Sequence, residues 1–308
     1  MVDILVTGGC GFIGSKIVEK LVNKNYNVHV IDNLSTGKKE NIDLDKVTLH
    51  VHDINEPEIE EVFKNNAFQC IIHQAAQTSV PVSIEDITSD TKINILGSVH
   101  LIDLANKYGV KKMIFASSAA IYGDPKQLPI TETTAANPTS PYGLSKYSVE
   151  KYLQLAHSLY GLNYTILRYA NVYGPKQTSL GEGGVVSIFD QYFRRNKTPI
   201  IFGDGLQTRD FIYVDDVAEA NIAAIDSENG IYNVSCNKQT TIEQLFQFFK
   251  GIYGVAVEPI YEPSREGDIR HSILSNELTL KELNWEPKMT LEEGLKQTVT
   301  HVIDKEEK

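Results

Sequence analysis

Cysteine is scarce in this 308-residue chain. Cys10, Cys70 and Cys236 stand far apart with no Cys-x-x-C pair, which excludes a disulfide framework and a cysteine-based zinc site, and no metal is expected. Positive charge is also in deficit: 29 Lys and Arg against 40 Asp and Glu leave a net charge of −11. That balance excludes a nucleic-acid partner, which demands a basic surface. Any anionic small molecule must then be met by a few local Arg or Lys side chains. No apolar run approaches the roughly 18 residues of a membrane span, and there is no internal repeat or low-complexity stretch. The first strand-like run starts at Asp3, so the expectation is no signal peptide and a cytoplasmic location. Hydrophobic residues at 42% and charged residues at 22% are ordinary for a globular protein with one large domain and a smaller appendage.

Among the features present, Tyr142 and Lys146 are the most informative. Four residues apart on a helix, they share one face. A free tyrosine, with a pKa near ~10, is a poor base at neutral pH, but an adjacent ammonium and an oxidised nicotinamide favour the phenolate. Such a base could take a proton from a sugar hydroxyl while hydride leaves the same carbon. Ser118 supplies a hydroxyl upstream.

A dinucleotide fold precedes this pair. Asp3 to Val6 reads as a strand running into Gly8, Gly11 and Gly14, and Ile13, Ile17, Val18, Leu21 and Val22 form the apolar face of the next helix. The spacing is Gly-x-x-Gly-x-x-Gly, and its mechanics are a tight turn, close backbone approach to a pyrophosphate and a helix N-terminus facing the phosphates. A second strand, Asn27 to Ile31, ends at Asp32, near the roughly 20-residue spacing of a ribose-binding acid. A carboxylate there repels a 2′-phosphate, so NAD is expected over NADP.

Strand-like runs at Val47 to Val51, Cys70 to His73, Lys112 to Ala116 and Tyr164 to Leu167 alternate with helix patterns. The helix patterns lie near Glu56 to Asn65, Thr91 to Tyr108 and Tyr142 to Tyr160, the last capped by Ser140 ahead of Pro141. This alternation predicts a Rossmann-like α/β fold with a doubly wound parallel sheet. The texture changes near Asn171. Pro175 to Gly184 reads as a loop, Val185 to Arg195 as a helix and Pro199 to Phe202 as a short strand. Val214 to Asp226, Ile231 to Val234, Thr241 to Tyr253 and Leu291 to Ile303 complete a smaller mixed α/β lobe. The expected division is residues 1–172 for NAD binding and 173–308 mainly for the substrate. A segment near 209–230, beginning with a strand at Arg209 to Tyr213, is expected to rejoin the first unit. His29, His50, His52 and Trp285 are read as structural, with Trp285 packing the small lobe.

These residues together resemble the extended short-chain dehydrogenase/reductase family, and within it the UDP-galactose 4-epimerases. The resemblance spans nearly the whole chain, from Thr7 to Gly14 through His73 to Ala76, Asn94, Ser118, Tyr142 with Lys146, and Arg168 to Asn171. It continues in Arg209 to Asp216 and Arg265 to Asp268. It implies NAD as cofactor, held by Gly8, Gly11, Phe12, Ile13 and Gly14 at the pyrophosphate and by Asp32, Asn33, Ser35, Thr36 and Gly37 near the ribose. Asp53 and Ile54 would flank the adenine, while Gln74, Ala75, Ala76, Gln77, Asn94 and Tyr169 line the cofactor's path. Lys146 would bond the nicotinamide ribose, Tyr142 act as acid/base and Ser118 bond the sugar's 4-oxygen. The UDP-sugar would meet Asn171, Val185, Ile200, Phe202, Arg209, Arg265, Asp268 and Ser272. Helices near Thr91 to Tyr108 and Tyr142 to Tyr160 would build a homodimer interface.

The expected reaction follows from what stands after Ser118. Dehydratases of the family carry Asp-Glu there, and decarboxylases a Glu; here Ala119 and Ala120 cannot move a proton. What remains is inversion at C4 of a UDP-hexose through a 4-keto sugar, with NAD retained. A UDP-glucuronate 4-epimerase, another nucleotide-sugar-modifying enzyme and a non-catalytic NAD sensor are the alternatives. At Ser272, where hexose-restricted relatives often place a tyrosine, serine leaves room for an N-acetyl group.

Overall fold

A computed structural model of the chain describes residues 2–177, 184–264 and 269–306. Six strands arise in turn from the β-branched runs of the first half: β1 (Asp3–Thr7), β2 (Asn27–Ile31), β3 (Val47–His50), β4 (Cys70–His73), β5 (Lys112–Ser118) and β6 (Asn163–Tyr169). The short strands β7 (Asn171–Tyr173), β8 (Ile200–Phe202), β9 (Thr208–Arg209) and β10 (Phe211–Tyr213) lie outside this sheet, and β11 (Gly230–Val234) returns to it. All seven sheet strands are parallel, in the order β11-β6-β5-β4-β1-β2-β3. The direction of winding reverses between β1 and β4, and the crevice above their C-terminal ends is where such sheets bind ligands.

The sheet is buried on both faces, and strand alternation divides its residues between two cores. Ile4, Val6, Ile72, Ile114 and Leu167 pack beneath α1 (Phe12–Asn23). Leu5, Ile71, Met113, Phe115 and Ile166 point the other way, into the core of α2 (Ile59–Lys64) and the helices that follow it. Of the latter, α5 (Gly97–Lys107) and α6 (Pro141–Tyr160) supply that core, while α3 (Val80–Glu85) and α4 (Ile87–Asp90) lie against α6 outside it. Ser140 caps α6 by accepting from the Gly143 amide.

The helix expected over Thr91 to Tyr108 is not continuous. It begins at Ile87 as α4, passes through a wider π-helical turn at Thr91–Leu96, and resumes as α5. The turn brings Asn94 inward, where it bonds both the amide and the carbonyl of Gln77 (2.9 Å each). Such turns inside helices frequently mark functional sites.

The second half forms a smaller lobe on a third, aromatic core. Here α7 (Val185–Arg194) packs against a later helix, α9, with Phe189, Phe193, Phe246 and Phe249 between them. The Phe193 and Phe249 rings stack at 5.7 Å. Between these helices, α8 (Val214–Ala223) lies against α1, and α9 is Ile242–Tyr253. The segment Arg209 to Tyr213 is not one strand joining the main sheet. Asp210 interrupts it: β10 pairs in parallel with β7, and β9 pairs with β12 (Thr240–Thr241). The chain nevertheless returns to the large domain: α8 lies against α1 and β11 joins the main sheet, while Val214, at the start of α8, still packs in the small lobe's aromatic core. β13 (Ile260–Glu262) pairs with β8, α10 (Glu277–Glu282) covers β11, and α11 (Leu291–Glu306) closes the small lobe. Trp285 is buried in the α1-face core of the large domain, its indole N–H donating to Asp216 O at 2.9 Å, and so does not pack the small lobe.

Glu150 on α6 and Arg168 on β6 form a buried bidentate ion pair (2.9 and 2.6 Å). Replacing Glu150 leaves a guanidinium charge uncompensated in the interior. The expected cost of Glu150→Gln is therefore roughly 3 kcal/mol, read as a lower urea midpoint at unchanged slope. An unchanged midpoint would show that the pair does not carry the fold.

Candidate active site

A cleft of about 600 Å³ opens above the β1/β4 switch point. Its glycine turn is shaped by contacts that leave no room for side chains. Gly8 has φ +68°, and a Cβ on it would stand 2.7 Å from the Ala75 amide nitrogen; a Cβ on Gly14 would stand 2.1 Å from Gly8 O. Gly8, Gly11, Phe12, Ile13 and Gly14 all line the cleft, and α1 starts at its edge. The turn therefore fits a pyrophosphate lying against backbone N–H groups.

Asp32, at the end of β2, lines the same wall together with Asn33, Ser35 and Thr36. Its carboxylate accepts from the amides of Cys10 (2.9 Å) and Leu34 (2.8 Å), which aligns it with the glycine turn. Gly37 stands behind the turn against Cys10 and outside the cleft. Asp53 and Ile54 line the far end. Burial acts to raise the Asp53 pKa, but hydrogen bonds from Asn55 and Asn33 outweigh it and hold the carboxyl below its usual value. His52, read from sequence as structural, also lines this end. Its neighbours His29 and His50 stack on each other at 5.5 Å and are structural.

Gln74, Ala75, Ala76 and Gln77 form the wall after β4. Asn94 lies behind that wall and holds it, bonding Gln77, Asp90 and Ser145, and does not line the cleft. One contributor was missed in the sequence. Asn221, fully buried on α8, donates to the Tyr169 hydroxyl (2.7 Å) and accepts from Gln74 Nε2 (3.2 Å). Both of its partners line the cleft. An asparagine in an otherwise Ala-rich helix carries no signal until the helix is placed.

On the opposite side, Ser118 ends β5 and Tyr142 opens α6, and both line the cleft with Ala119 and Ala120. Gly143 allows the approach: a Cβ there would stand 2.6 Å from Ala120 O. Lys146 is buried under the floor, its ammonium donating to Ala116 O at 2.9 Å and lying 5.9 Å from the Tyr142 ring centre. Burial lowers its pKa from the usual 10.5 to about 8, with partial relief from Asp90. The imidazole of His73 is also buried, between Thr7 and Ser98, and burial followed by the Lys146 charge lowers its pKa to about 3, so it stays neutral. A cation beside a phenol at the mouth of a dinucleotide cleft is suited to moving one proton to and from a bound hydroxyl.

Asn171, Arg209 and Ser272 line the end toward the small lobe. Val185, Ile200 and Phe202 do not reach this cleft: Val185 packs on the small lobe's aromatic core, and the other two lie on β8. Arg265 and Asp268, with Glu266 and Gly267 between them, fall outside the described residues, as do 178–183 of the expected loop and Glu307 and Lys308 of the tail. Among the described residues no cluster of His, Cys, Asp and Glu could hold a metal, and no helix is long and apolar enough to cross a membrane.

Residues 4–235 match the sequence model of the NAD-dependent epimerase/dehydratase family. The chain belongs to that family. It is 37% identical over 302 residues to the UDP-glucose 4-epimerase of Mycolicibacterium smegmatis, covering 96% of each chain. It also superimposes on a Thermotoga maritima UDP-glucose 4-epimerase solved with UDP-glucose, at TM-score 0.96 and 46% identity over 99% of both chains. A UDP-N-acetylglucosamine 4-epimerase from Methanobrevibacter ruminantium M1, solved with UDP-N-acetylmuramic acid, follows at TM-score 0.94 and 36% identity, with 99% of this chain and 100% of that one covered. NAD is thus the cofactor this fold is built for, and the glycine turn and Asp32 fit it.

The buried Lys146 carries a stability cost with a definite sign. The unfolded chain binds this proton more tightly than the folded one, so its contribution to stability rises from about pH 8 toward 10.5. At about 1.4 kcal/mol for each tenfold change in proton affinity, the cost at neutral pH is on the order of 3 kcal/mol. Lys146→Met should therefore stabilise the NAD-free protein by up to ~3 kcal/mol in urea at pH 7, and by less at pH 10, while losing most turnover. A destabilised variant would reject this reading.

Proposed function

We propose that the protein inverts C4 of a UDP-hexose, interconverting UDP-glucose with UDP-galactose, and that it also accepts the N-acetylhexosamine pair. The observation that carries the proposal is the joint presence of Ser118 and Tyr142 on one cleft wall with Ala119 and Ala120 beside them. NAD, when bound, supplies a reversible two-electron oxidation of the sugar carbon. Tyr142 Oη takes the C4 hydroxyl proton and later returns it to the 4-keto oxygen, while Ser118 Oγ holds that oxygen. Lys146 keeps the phenolate accessible from below. Ala119 and Ala120 offer no acid or base for elimination, so the keto sugar turns over in the cleft and is reduced on its other face.

Arg209 is suited to the diphosphate. Among the described residues lining the cleft it is the one arginine or lysine. Ser272, 8% exposed, occupies its place in the wall without an aromatic ring, which supports entry of an N-acetyl group.

We further propose a homodimer through α6. Leu144, Tyr152, Leu155 and Leu159 are 44–59% exposed and lie along one stripe of that helix, with Ile84, Ile87 and Leu96 exposed on the helices beside it. Exposed apolar residues gathered on neighbouring helices support an interface there.

Purified protein incubated with UDP-glucose, UDP-galactose, UDP-GlcNAc, UDP-GalNAc and UDP-glucuronate, with products resolved by NMR, tests the substrate. Both hexose pairs should equilibrate, and Tyr142→Phe should lose at least about 100-fold in kcat while retaining NAD. Ser272→Tyr should suppress only the N-acetyl pair. Turnover of UDP-glucuronate alone would overturn the hexose assignment, and no N-acetyl activity would overturn the wide pocket. In sedimentation, wild type should run as a dimer and Leu155→Asp/Leu159→Asp as a monomer; a monomeric wild type rejects the interface.

A further inference from the structure

Lys176 lies in the loop leaving β7, immediately before the cleft-lining Gln177, and has φ +70°. A left-handed conformation costs a non-glycine residue roughly 1–2 kcal/mol, so it persists only where surrounding contacts hold it. From this position the ammonium donates to Asn41 O at 2.8 Å and Ser15 Oγ at 3.3 Å. Both partners lead to the same turn. Asn41 Nδ2 donates to Cys10 O at 2.8 Å, and Ser15 Oγ donates to Phe12 O at 3.3 Å. Gly11, between Cys10 and Phe12, is the N-cap of α1. The one ammonium thus braces the dinucleotide turn on either side of its central glycine, away from the face that Gly11 and Phe12 present to the cleft.

Its charge is informative as well. Ser15 lies in the first turns of α1, where the helix already presents its positive end. A second positive charge there is unfavourable alone and becomes favourable once the two negative charges of a pyrophosphate occupy that end.

We propose that Lys176 is a positioning residue that fastens the NAD-binding turn to the β7 loop, so that cofactor residence depends on a residue outside the dinucleotide half of the chain. It acts through Asn41 and Ser15, and the proposal rests on NAD as cofactor, independently of which sugar is turned over. The test is release of a fluorescent etheno analogue of NAD, chased with excess NAD. Lys176→Met should release it about tenfold faster, the equivalent of about 1.4 kcal/mol, and Lys176→Arg should stay near wild type. Asn41→Ala should also speed release, and the double variant should exceed the larger single effect by little, because both act on one link. The thermal midpoint of the NAD-free Lys176→Met protein should match wild type. Release within twofold of wild type in Lys176→Met, or fully additive effects in the double variant, would overturn the proposal. Should Lys176→Met lower the NAD-free midpoint, Asn41→Ala alone decides: unchanged release there overturns it and faster release supports it.

Discussion

Glu150 and Arg168 meet in the interior, between the helix that carries Tyr142 and the strand that ends at Tyr169, and the cleft wall above them depends on their fit. Removing two such charges from water costs several kcal/mol per ion, recovered only if every remaining donor and acceptor is used. Here they are used. Glu150 also accepts from Ser117 (2.6 Å), and Arg168 NH1 donates to Tyr122 (2.8 Å) and to Glu132 O (3.2 Å). Tyr122 passes the network to Asn233 on β11, whose amide donates to the Glu132 side chain. The ends of β5, β6 and β11 are thereby held to α6 as one body. Tyr142, Lys146 and Glu150 follow each other at four-residue spacing, so one face of a single helix carries the proposed proton-transfer residue, its cation and the anchor.

The same interior treats its charges unequally. Arg168 has a partner at each of its three nitrogens. Lys146 has a carbonyl and a distant Asp90, and burial depresses its pKa. A protein selected for stability alone would place an apolar chain there; the retained ammonium suits the proton-transfer role proposed for this site.

Two further buried carboxylates brace loops. Asp210 accepts from the amides of Cys236 (3.0 Å) and Leu274 (3.4 Å), and burial raises its pKa to about 7. Asp216 accepts from the amides of Lys288 and Met289. The run Arg209 to Asp216 therefore combines a cleft-lining arginine with two loop braces. Those roles are distinct, although the residues are nearly adjacent in sequence.

The large domain was legible because its signals are local. Cys70–His73 and Asn27–Ile31 are strands at the bounds expected from β-branched runs, and Ser140 caps α6 as its position before Pro141 implies. The glycine spacing, Asp32 and the Tyr142/Lys146 pair are equally local signals, and the structure places the glycines, Asp32 and Tyr142 along the cleft with Lys146 buried beside it. What the sequence by itself determined was a doubly wound parallel α/β sheet, because the alternation of β-branched runs with amphipathic helix patterns is local. It did not determine which distant side chains complete the cleft. Asn221 and Lys176 brace its walls from elements far along the chain, Trp285 joins the large domain's core, and Val185, Ile200 and Phe202 stay away from the cleft. Polar residues on amphipathic helices and loops look alike until a partner is fixed, and partners across the lobes are fixed by how α8 settles on α1 and how the β7 loop passes the glycine turn. Those contacts depend on packing between surfaces assembled from the whole chain, so only the tertiary structure decided them.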